Sequence, residues 1–517
     1  MQLLVNGWIL VLVYAAGWLL VSSQPHAYWT IARGTALAGL AGVVVSITAA
    51  TAAALLTGAS PDRLGLVAAL LVSLLGWVII NFSSRYLTGD LHQRRFVRSM
   101  LFTLMSVSLL LLSQDLLTIA LAWTGASIGL HYLLTHYPER KAAQIVAHKK
   151  FLVSRLAEIC LITALALIYH STGTLWLDEL SVYLAGRESL PLSLHWAAAL
   201  VALAAILKTA QLPLHGWLIQ VMEAPTPVSA LLHAGVVNMG GFVLIRLAEL
   251  ISLAPAAQLM LVIVGCTTAT VASLVMMTRI SIKVRLAWST CAQMGFMLLE
   301  IGLGLYELAL LHLVAHSLYK AHAFLSAGGS VDVARSRDFF AHRGATQQPY
   351  WYVVAAILSG LLVVVALLPW RAIAPGFELP LIALVFVALG LAPLLWLEEG
   401  RTPWSLLRGA VIVLALSQLY LLWHLLFAAI APAVSAPGTL ATVWVLAAFS
   451  SLYGIQSWLR CRPHGALATT LYPWAYSGFY LDETFTRLTF KIWPARLSPT
   501  QAQTQANRNP NSQGALP

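Results

Sequence analysis

Two lysines of this chain stand inside long apolar stretches, where an ionisable side chain is expensive to keep. Lys208 lies within the apolar run 195–222, and Lys320 lies within the run 306–329. A buried ammonium in lipid costs at least a few kcal/mol, so membrane proteins that keep one commonly use it to move charge. Pro213 follows Lys208 by five residues and removes a backbone donor, which predicts a break in the helix beside the charge. A charge beside a helix break at membrane depth is typical of ion-binding sites in transport proteins.

An acidic residue that could serve Lys208 lies one apolar run earlier. Arg155 and Glu158 are three residues apart, so they share a helix face and can pair with each other. A closed Arg155–Glu158 ion pair that never titrates is one interpretation. In the other, Glu158 pairs with Lys208, keeps the ammonium charged while it is near, and lets the lysine release its proton when it withdraws.

The residues after the break carry two prolines and a histidine. Glu223 precedes Pro225 and Pro227, which suit the first turn of a new helix. His233 follows about two turns into that helix, and histidine titrates near neutral pH. We interpret His233 either as a proton relay or as a buried structural histidine.

Three ionisable residues of the run 306–329 are spaced four and four. His312, His316 and Lys320 therefore form one titratable stripe along a helix face. The stripe indicates a proton path, and the alternative is a polar seam that binds helices together. Three glutamates lie near the ends of apolar runs, where we expect contact with water: Glu249, Glu300 and Glu307.

Composition predicts an integral membrane protein. Of the 517 residues, 59% are hydrophobic and 9% are charged, whereas soluble proteins carry roughly 25% charged residues. Pro369 and Pro375 predict an interruption of the run 350–378. The predicted fold is an all-α polytopic membrane protein of about 15 transmembrane helices, in a range of about 13 to 16. The corresponding apolar runs are 3–22, 32–57, 64–82, 100–113, 115–135, 149–169, 195–222, 226–251, 256–278, 285–304, 306–329, 350–378, 379–397, 405–430 and 438–458.

The basic loop residues divide unevenly between the two sides of the membrane. With an outside N-terminus, the outer side holds only Arg63, Arg187 and Arg371. The other loop lysines and arginines, with Lys149 and Lys150 among them, are predicted on the inner side. The net charge of +11 therefore reflects topology and predicts no nucleic-acid partner. We expect a multi-pass protein of the bacterial inner membrane with a cytoplasmic C-terminus, whose first apolar run is a span rather than a cleaved signal peptide.

The sequence offers no sign of a cofactor in this chain. The four cysteines lie far apart and form no CxxC pair, so neither a zinc nor an iron–sulfur site is predicted. No glycine-rich phosphate loop is present, so nucleotide binding is unsupported. We expect a transport subunit rather than an enzyme.

The chain is predicted to have three parts. Residues 1–460 form a transmembrane domain, residues 470–493 form an amphipathic helix on the inner surface, and residues 496–517 have the composition of a disordered tail. Lys208 before Pro213, and Lys320 before a second proline-interrupted span, suggest two inverted halves.

These stretches resemble the antiporter-like subunits of respiratory complex I and of the Mrp antiporters. The similarity covers about residues 75–400, and its most specific segment is Lys208–Gly241, with Arg155–Glu158, Lys283–Gly295 and His312–Gly329 as further matching segments. The resemblance implies two inverted five-helix bundles, each with a broken helix, around a central polar axis that carries protons. The residues matched to that axis are Glu158, Lys208, His233, His312, His316 and Lys320, with Arg155, Pro213, Glu223, Pro225 and Pro227 in support.

The sequence departs from that family at two positions. The family has a glutamate directly after the tryptophan of its fifth helix, whereas Thr124 follows Trp123 here. The family also has a lysine in the second broken helix, whereas residues 369–379 offer Arg371 and Glu378. Arginine cannot release a proton at ordinary pH.

With these departures the chain resembles the membrane subunits of the DAB inorganic-carbon accumulation systems. The resemblance implies that cation flow through the membrane subunit drives hydration of CO2 to bicarbonate by a partner. That partner, DabA, resembles a zinc-dependent β-carbonic anhydrase, and we expect it to dock on the cytoplasmic face. The alternatives are a subunit of a complex I-type redox pump or Mrp Na⁺/H⁺ antiporter, and a membrane scaffold that transports nothing.

Overall fold

The chain is built from α-helices. The computed structural model describes residues 5–24, 26–58, 60–137, 139–221, 224–329, 348–373, 379–396, 403–431 and 438–493. Within them the β pairing is limited to an isolated bridge between Asp115 and Trp176, so the predicted all-α fold is confirmed. The helices are α1 (Ile9–Ser23), α2 (Tyr28–Thr57), α3 (Arg63–Tyr86), α4 (Gln93–Leu112), α5 (Leu116–Leu134), α6 (Lys141–Thr172), α7 (Leu177–Leu184), α8 (Leu192–Lys208), α9 (Gly216–Ile219), α10 (Thr226–Ala234), α11 (Met239–Arg246), α12 (Ala248–Ser252), α13 (Pro255–Met277), α14 (Ile282–Gly302), α15 (Tyr306–Leu325), α16 (Pro349–Ile373), α17 (Leu381–Leu391), α18 (Pro403–Ala428), α19 (Thr439–Cys461), α20 (Ala466–Tyr476) and α21 (Leu481–Ile492).

Ten helical segments of the described chain are long and apolar enough to cross a bilayer. Shorter apolar helices occur at α1, at α8 and at α17 with the 3₁₀ turn that follows it. The helices α14 and α15 have 21 and 20 residues, so they match a bilayer in length while carrying more polar side chains. Each predicted apolar run contains a helix, and the count of about 15 spans stays a prediction.

The predicted helix break beside Lys208 is present. Helix α8 ends at Lys208, and the chain is not helical again until α9 begins at Gly216. Neighbouring helices satisfy the freed backbone groups. The Leu212 N–H donates to Thr268 Oγ1 of α13 at 3.2 Å, and Cys291 Sγ of α14 donates to the Ala210 carbonyl at 3.3 Å. Non-helical backbone is tolerated at membrane depth when protein groups replace the missing hydrogen bonds in this way.

The helices that support the break cross at two glycines. A Cβ atom added to Gly265 of α13 would lie 2.6 Å from the carbonyl oxygen of Gly295 in α14. Any side chain at Gly265 would therefore force α13 and α14 apart. Their close approach brings Thr268 and Cys291 against the break.

The predicted interruption at Pro369 is absent. Helix α16 runs through Pro369 and ends at Ile373, while Pro375 lies outside the described residues. Next to this proline, the Ala366 carbonyl accepts a hydrogen bond from Gln418 Nε2 of α18 at 3.0 Å. Pro369 removes the N–H that would bond the Val365 carbonyl, so the contact from α18 supports the helix directly beside the freed group.

The amphipathic segment predicted at 470–493 is two helices instead of one. Helices α20 and α21 are separated by a turn in which Gly478, Phe479 and Tyr480 have φ angles of 63°, 54° and 57°. Three consecutive left-handed residues cannot continue a right-handed helix, so the chain changes direction there. The predicted domain boundaries at 460 and 470 stay predictions, and the tail 496–517 lies outside the described residues.

Candidate functional site

Lys208 is the last residue of α8, directly before the break. Its Nζ atom lies 3.3 Å from Glu158 Oε1, and its side chain is 6% exposed. Nζ also lies 4.8 Å from the ring centroid of Trp123 in α5, which adds a cation–π contact. The carbonyl groups at the end of α8 present the negative end of the helix dipole to the ammonium. A helix end, a carboxylate and an aromatic face therefore hold this charge together.

Both pairings considered for Glu158 occur in the structure at once. Glu158 Oε1 accepts a hydrogen bond from Arg155 Nη2 at 2.8 Å and one from Lys208 Nζ at 3.3 Å. Because one oxygen serves two cations, loss of the Lys208 proton leaves the carboxylate paired with Arg155. The proton-transfer roles of these residues stay predictions.

A buried lysine that the sequence analysis placed in the inner loop lies next to this pair. Helix α6 begins at Lys141, eight residues before the predicted run, so Lys149 and Lys150 are both helical and buried. Lys150 Nζ donates to the carbonyl and hydroxyl oxygens of Ser127 in α5, at 2.5 and 2.7 Å. The loop assignment of these two lysines was wrong because a charge count cannot show that a helix extends past its apolar residues.

A spacing of four could have revealed Lys150. Lys150, Ser154 and Glu158 recur every four residues on one face of α6, and all three are buried. Lys208 and Glu158 are electrostatic neighbours of the Lys150 ammonium. We refer to Lys150, Arg155, Glu158 and Lys208 as the Lys208 cluster.

The threonine that replaces the family's glutamate does not take over its role. Thr124 Oγ1 donates to the Ala120 carbonyl of its own helix at 3.0 Å. The carboxylate at Lys208 comes from Glu158 of α6 instead. The departure at Thr124 therefore does not deprive Lys208 of a counter-ion.

Helix α10 begins where the two prolines predict. Pro225 is the N-cap residue and Pro227 lies in the first turn, while Glu223 lies outside the described residues. His233 is buried near the end of α10 with its ring stacked on Phe324 of α15, at a centroid distance of 4.4 Å. This stacking fixes the ring without engaging Nδ1, which has no hydrogen-bond partner among the described residues.

The predicted stripe of His312, His316 and Lys320 lies on α15 and faces the interior. The rings of His312 and His316 have centroids 5.9 Å apart. His316 is buried, and neither of its ring nitrogens has a hydrogen-bond partner in the described part of the chain. His233 is an electrostatic neighbour of both His316 and Lys320, so α10 joins the stripe from the side. We refer to His233, His312, His316 and Lys320 as the histidine arm.

Lys320 is held by neutral oxygens. Its side chain is buried, and Nζ donates to the Leu286 carbonyl of α14 at 3.0 Å and to Ser289 Oγ. In the described residues no carboxylate lies within ion-pair distance of this ammonium.

Polar and close-packed residues lie between the Lys208 cluster and the histidine arm. Asn238 Nδ2 donates to Ser317 Oγ of α15 at 2.7 Å. A cavity of about 10 Å³ lies beside both residues, which is about the size of one water molecule. On the other side, a Cβ atom added to Gly240 would lie 2.4 Å from Thr209 Cγ2, so α11 packs directly against the break.

Two of the three glutamates expected to contact water are buried. Glu300 at the end of α14 is 5% exposed, and Glu307 at the start of α15 is 2% exposed. Glu300 Oε2 lies 2.9 Å from His312 Nδ1, which links it to the histidine arm. The expectation was wrong because Leu303, Leu305 and Leu308 at the α14–α15 turn share one buried cluster with residues of α16, α17, α18 and α19. Long-range packing of this kind leaves no local signal. Glu249 is exposed, as expected.

The region that matches the family's second broken helix, residues 369–379, shows no buried charge among its described residues. Arg371 is exposed near the end of α16, and Glu378 lies outside the described residues.

At the predicted inner end, the C-terminal helix α21 contacts the helix break. Asp482 Oδ2 accepts hydrogen bonds from Lys149 Nζ at 2.7 Å and from Gln220 Nε2 at 3.0 Å. A Cβ atom added to Gly216 would lie 1.6 Å from Asp482 Oδ1, so glycine is required for this approach. The ring of His148 stacks on Trp493 at 4.0 Å. Helix α21 is therefore seated against α6 and α9.

Known proteins share both the sequence and the architecture of this chain. Residues 113–369 match the family described as "NADH:quinone oxidoreductase/Mrp antiporter, TM". The protein named "Probable inorganic carbon transporter subunit DabB" of Hydrogenovibrio crunogenus is 38% identical over 488 residues, 92% of each chain. The chain belongs to the DabB family. A second member, "Probable inorganic carbon transporter subunit DabB2" of Halothiobacillus neapolitanus, is 39% identical over 88% of this chain and 84% of its own length.

More distant relatives support the wider classification. "NADH-quinone oxidoreductase subunit L" of Rhodobacter capsulatus is 29% identical over 57% of this chain and 43% of its own length. A solved structure of the Mrp complex from Dietzia sp. DQ12-45-1b contains a chain of the same fold, with a TM-score of 0.53 and 22% identity. The match covers 98% of this chain and 60% of that one. The chain is thus a multi-pass membrane protein of the antiporter-like superfamily.

Proposed function

We propose that this chain is the proton-translocating, energy-coupling subunit of an inorganic-carbon pump. Proton movement through it would drive hydration of CO2 to bicarbonate by a zinc-containing partner of the DabA type. In this proposal the catalytic residues and the zinc belong to the partner. The observation that carries the proposal is the buried Lys208–Glu158 pair at a helix break, because such a pair costs too much to serve as packing alone.

The chemistry of the candidate groups favours protons over metal cations. Na⁺ and the alkaline-earth cations need several oxygen ligands. The histidine arm presents imidazole nitrogens and a lysine instead. Over the described residues, no group of three or more His, Cys, Asp or Glu side chains could hold a metal ion. Lysine and histidine bind and release protons readily, so these groups are suited to carry them.

The energy available from one proton is sufficient for such coupling. Moving one elementary charge through 100 mV releases about 2.3 kcal/mol. An equilibrium coupled to that movement shifts by more than about tenfold, because about 1.4 kcal/mol corresponds to a factor of ten.

The extent of the similarity favours an inorganic-carbon system over a redox pump. The match to the DabB protein of H. crunogenus spans 92% of both chains, whereas the match to subunit L covers 43% of the length of that subunit. The relatives are named as subunits, which supports a hetero-complex for this chain as well. We place the partner on the predicted cytoplasmic face, where the basic loops and α21 lie.

Replacement of Lys208 tests the proposal. Cells that express this chain together with its DabA-type partner would be compared for bicarbonate accumulation and for the amount of chain in the membrane fraction. We expect Lys208→Ala to abolish accumulation while membrane insertion is normal, because the proton-bearing group at the break is lost. Arg187→Ala, which removes an exposed cation on the predicted outer side, is the control and keeps accumulation. Normal accumulation by a correctly inserted Lys208→Ala variant would refute the proposal.

A further inference from the structure

The α14–α15 turn carries two buried carboxyl groups that no sequence motif of the proton axis includes. Glu300 lies in the last turn of α14, and Glu307 lies in the first turn of α15. Both are at least nine-tenths buried. The buried apolar residues Leu299, Leu303 and Leu308 beside them belong to one cluster, so the turn is sealed by packing.

The two carboxyl groups have different partners. Glu300 Oε2 is held by His312 Nδ1 at 2.9 Å. Neither carboxyl oxygen of Glu307 has a hydrogen-bond partner among the described residues. Burying an ionised carboxylate without a partner costs several kcal/mol, and uptake of a proton removes that cost. Glu307 is therefore suited to bind a proton at this position.

Helices α14, α15 and α18 all contribute titratable side chains to the same place. Glu300 of α14 is an electrostatic neighbour of Glu307, and the Tyr420 phenol of α18 is a neighbour of both carboxyl groups. His312 contacts Glu300 from α15. Two carboxyl groups that share a low-dielectric site do not both ionise readily, so one proton held between them is the favoured arrangement.

Glu300 and Glu307 lie where a proton path along α15 would end. Lys320 lies 13 residues after Glu307 on α15, which corresponds to a rise of about 20 Å along the helix. His312 and His316 lie between these ends, and the turn with the two carboxyl groups is at the predicted outer end. Lys320 is at the other end of the stripe, beside the first turns of α14.

We propose that Glu300 and Glu307 form a proton-binding site that ends the histidine arm at the outer side of the membrane. In this site, a proton on the Glu307 carboxyl exchanges with Glu300 and then with His312. The exchange moves protons only, and no other bond forms or breaks. This inference rests on the proposed proton-translocating function and gives its path an outer terminus.

Infrared difference spectroscopy of the purified protein tests the site without transport. A protonated carboxylic acid has a C=O stretching band that is separate from carboxylate bands. We expect a pH titration of the wild-type protein to show this band, Glu307→Gln to lose it, and Glu300→Gln to shift it. Glu249→Gln is the matched control at the same end of the molecule, since Glu249 is exposed and bonded to Ser181 at 3.0 Å. An unchanged band in Glu307→Gln would overturn the inference.

Proton flux into vesicles containing the complex gives the second readout. We expect Glu307→Gln to reduce the flux at least about tenfold, as expected for loss of a proton-transfer group, and Glu307→Asp to retain part of it. Loss of the band with normal flux would overturn the inference, because the site would then lie off the path. A different result would refute the proposed function and leave the carboxyl site intact. That result is a Lys208→Ala variant with normal flux in which the Glu307 band is still present.

Discussion

Lys208 and Lys320 are both buried, but they are stabilised by different kinds of group. Lys208 ends a broken helix and pairs with Glu158, which also binds Arg155. Lys320 lies within the continuous helix α15 and is held by a carbonyl and a hydroxyl group. The Lys208 cluster therefore contains a counter-ion, whereas the described surroundings of Lys320 do not.

This difference suggests two stages in proton movement. A counter-ion favours the charged form of a lysine, so Lys208 can retain a proton until Glu158 moves away. Lys320 can release its proton without losing a carboxylate partner, since no carboxylate of the described residues pairs with it. We infer that the Lys208 cluster controls when a proton moves and that the histidine arm passes it on.

The largest expected effect on stability is that of removing the shared carboxylate. Glu158→Gln leaves Arg155 and Lys208 facing a neutral amide. We expect the free energy of unfolding to fall by about 3 kcal/mol, the usual cost of breaking a buried pair. Thermal unfolding of the detergent-solubilised protein measures this loss.

Two further variants sharpen that measurement. The double variant Glu158→Gln/Lys208→Met removes one cation as well, so it should regain most of the stability while remaining inactive in transport. Glu483→Gln breaks the exposed Glu483–Arg487 pair of α21 and should cost under about 1 kcal/mol. Equal losses in the single and double Glu158 variants would contradict the shared-carboxylate description.

Replacement of Lys320 should change the stability little and the proton flux strongly, the reverse of the effect on stability expected at Glu158. Because no carboxylate of the described residues pairs with Lys320, we expect Lys320→Met to change the free energy of unfolding by less than about 1 kcal/mol. Proton flux into vesicles should fall by about a hundredfold, as expected when a proton-transfer group is lost. Lys283→Met, at a lysine bonded to Thr226 Oγ1, is the control and should keep its flux. A Lys320→Met variant with normal flux would support a polar seam that only binds helices together.

A smaller effect on proton flux is expected from a variant at the contact between α9 and α21. Gly216→Ala would place a Cβ atom on Asp482, so α21 must move away from α9. We expect faster amide hydrogen exchange over Leu481–Ile492 and a flux reduced a few-fold. Gly454→Ala is the control, since nothing lies within 4 Å of a Cβ atom at that glycine. Unchanged exchange in Gly216→Ala would show that α21 is not seated by this contact.

Local sequence patterns predicted much of this arrangement. The break at Pro213 follows from proline chemistry, and the stripe of His312, His316 and Lys320 follows from helical periodicity. The residue spacing left two partners open for Glu158, Arg155 and Lys208, and the structure contains both pairs.

Other features depend on contacts between segments that are distant in sequence. Lys150 was assigned to a loop because it lies among basic residues, yet α5 covers it and supplies Ser127 as its partner. Glu307 was expected near water because it lies close to a span end, yet α18 packs over that end. The contact between Asp482 and Gly216 brings together residues that are 266 positions apart, and no local sequence pattern indicates it.

The proposed function requires that protons cross through these groups and that their movement is coupled to the chemistry of a partner. It can be tested in a proteoliposome that contains this chain with the proposed DabA-type partner, in which internal pH and bicarbonate formation are recorded together after a pH gradient is imposed. We expect bicarbonate to form as the gradient decays, and the double variant Glu158→Gln/Lys208→Met to stop both processes. Bicarbonate formation at the same rate with the double variant, or without a gradient, would contradict the proposed function.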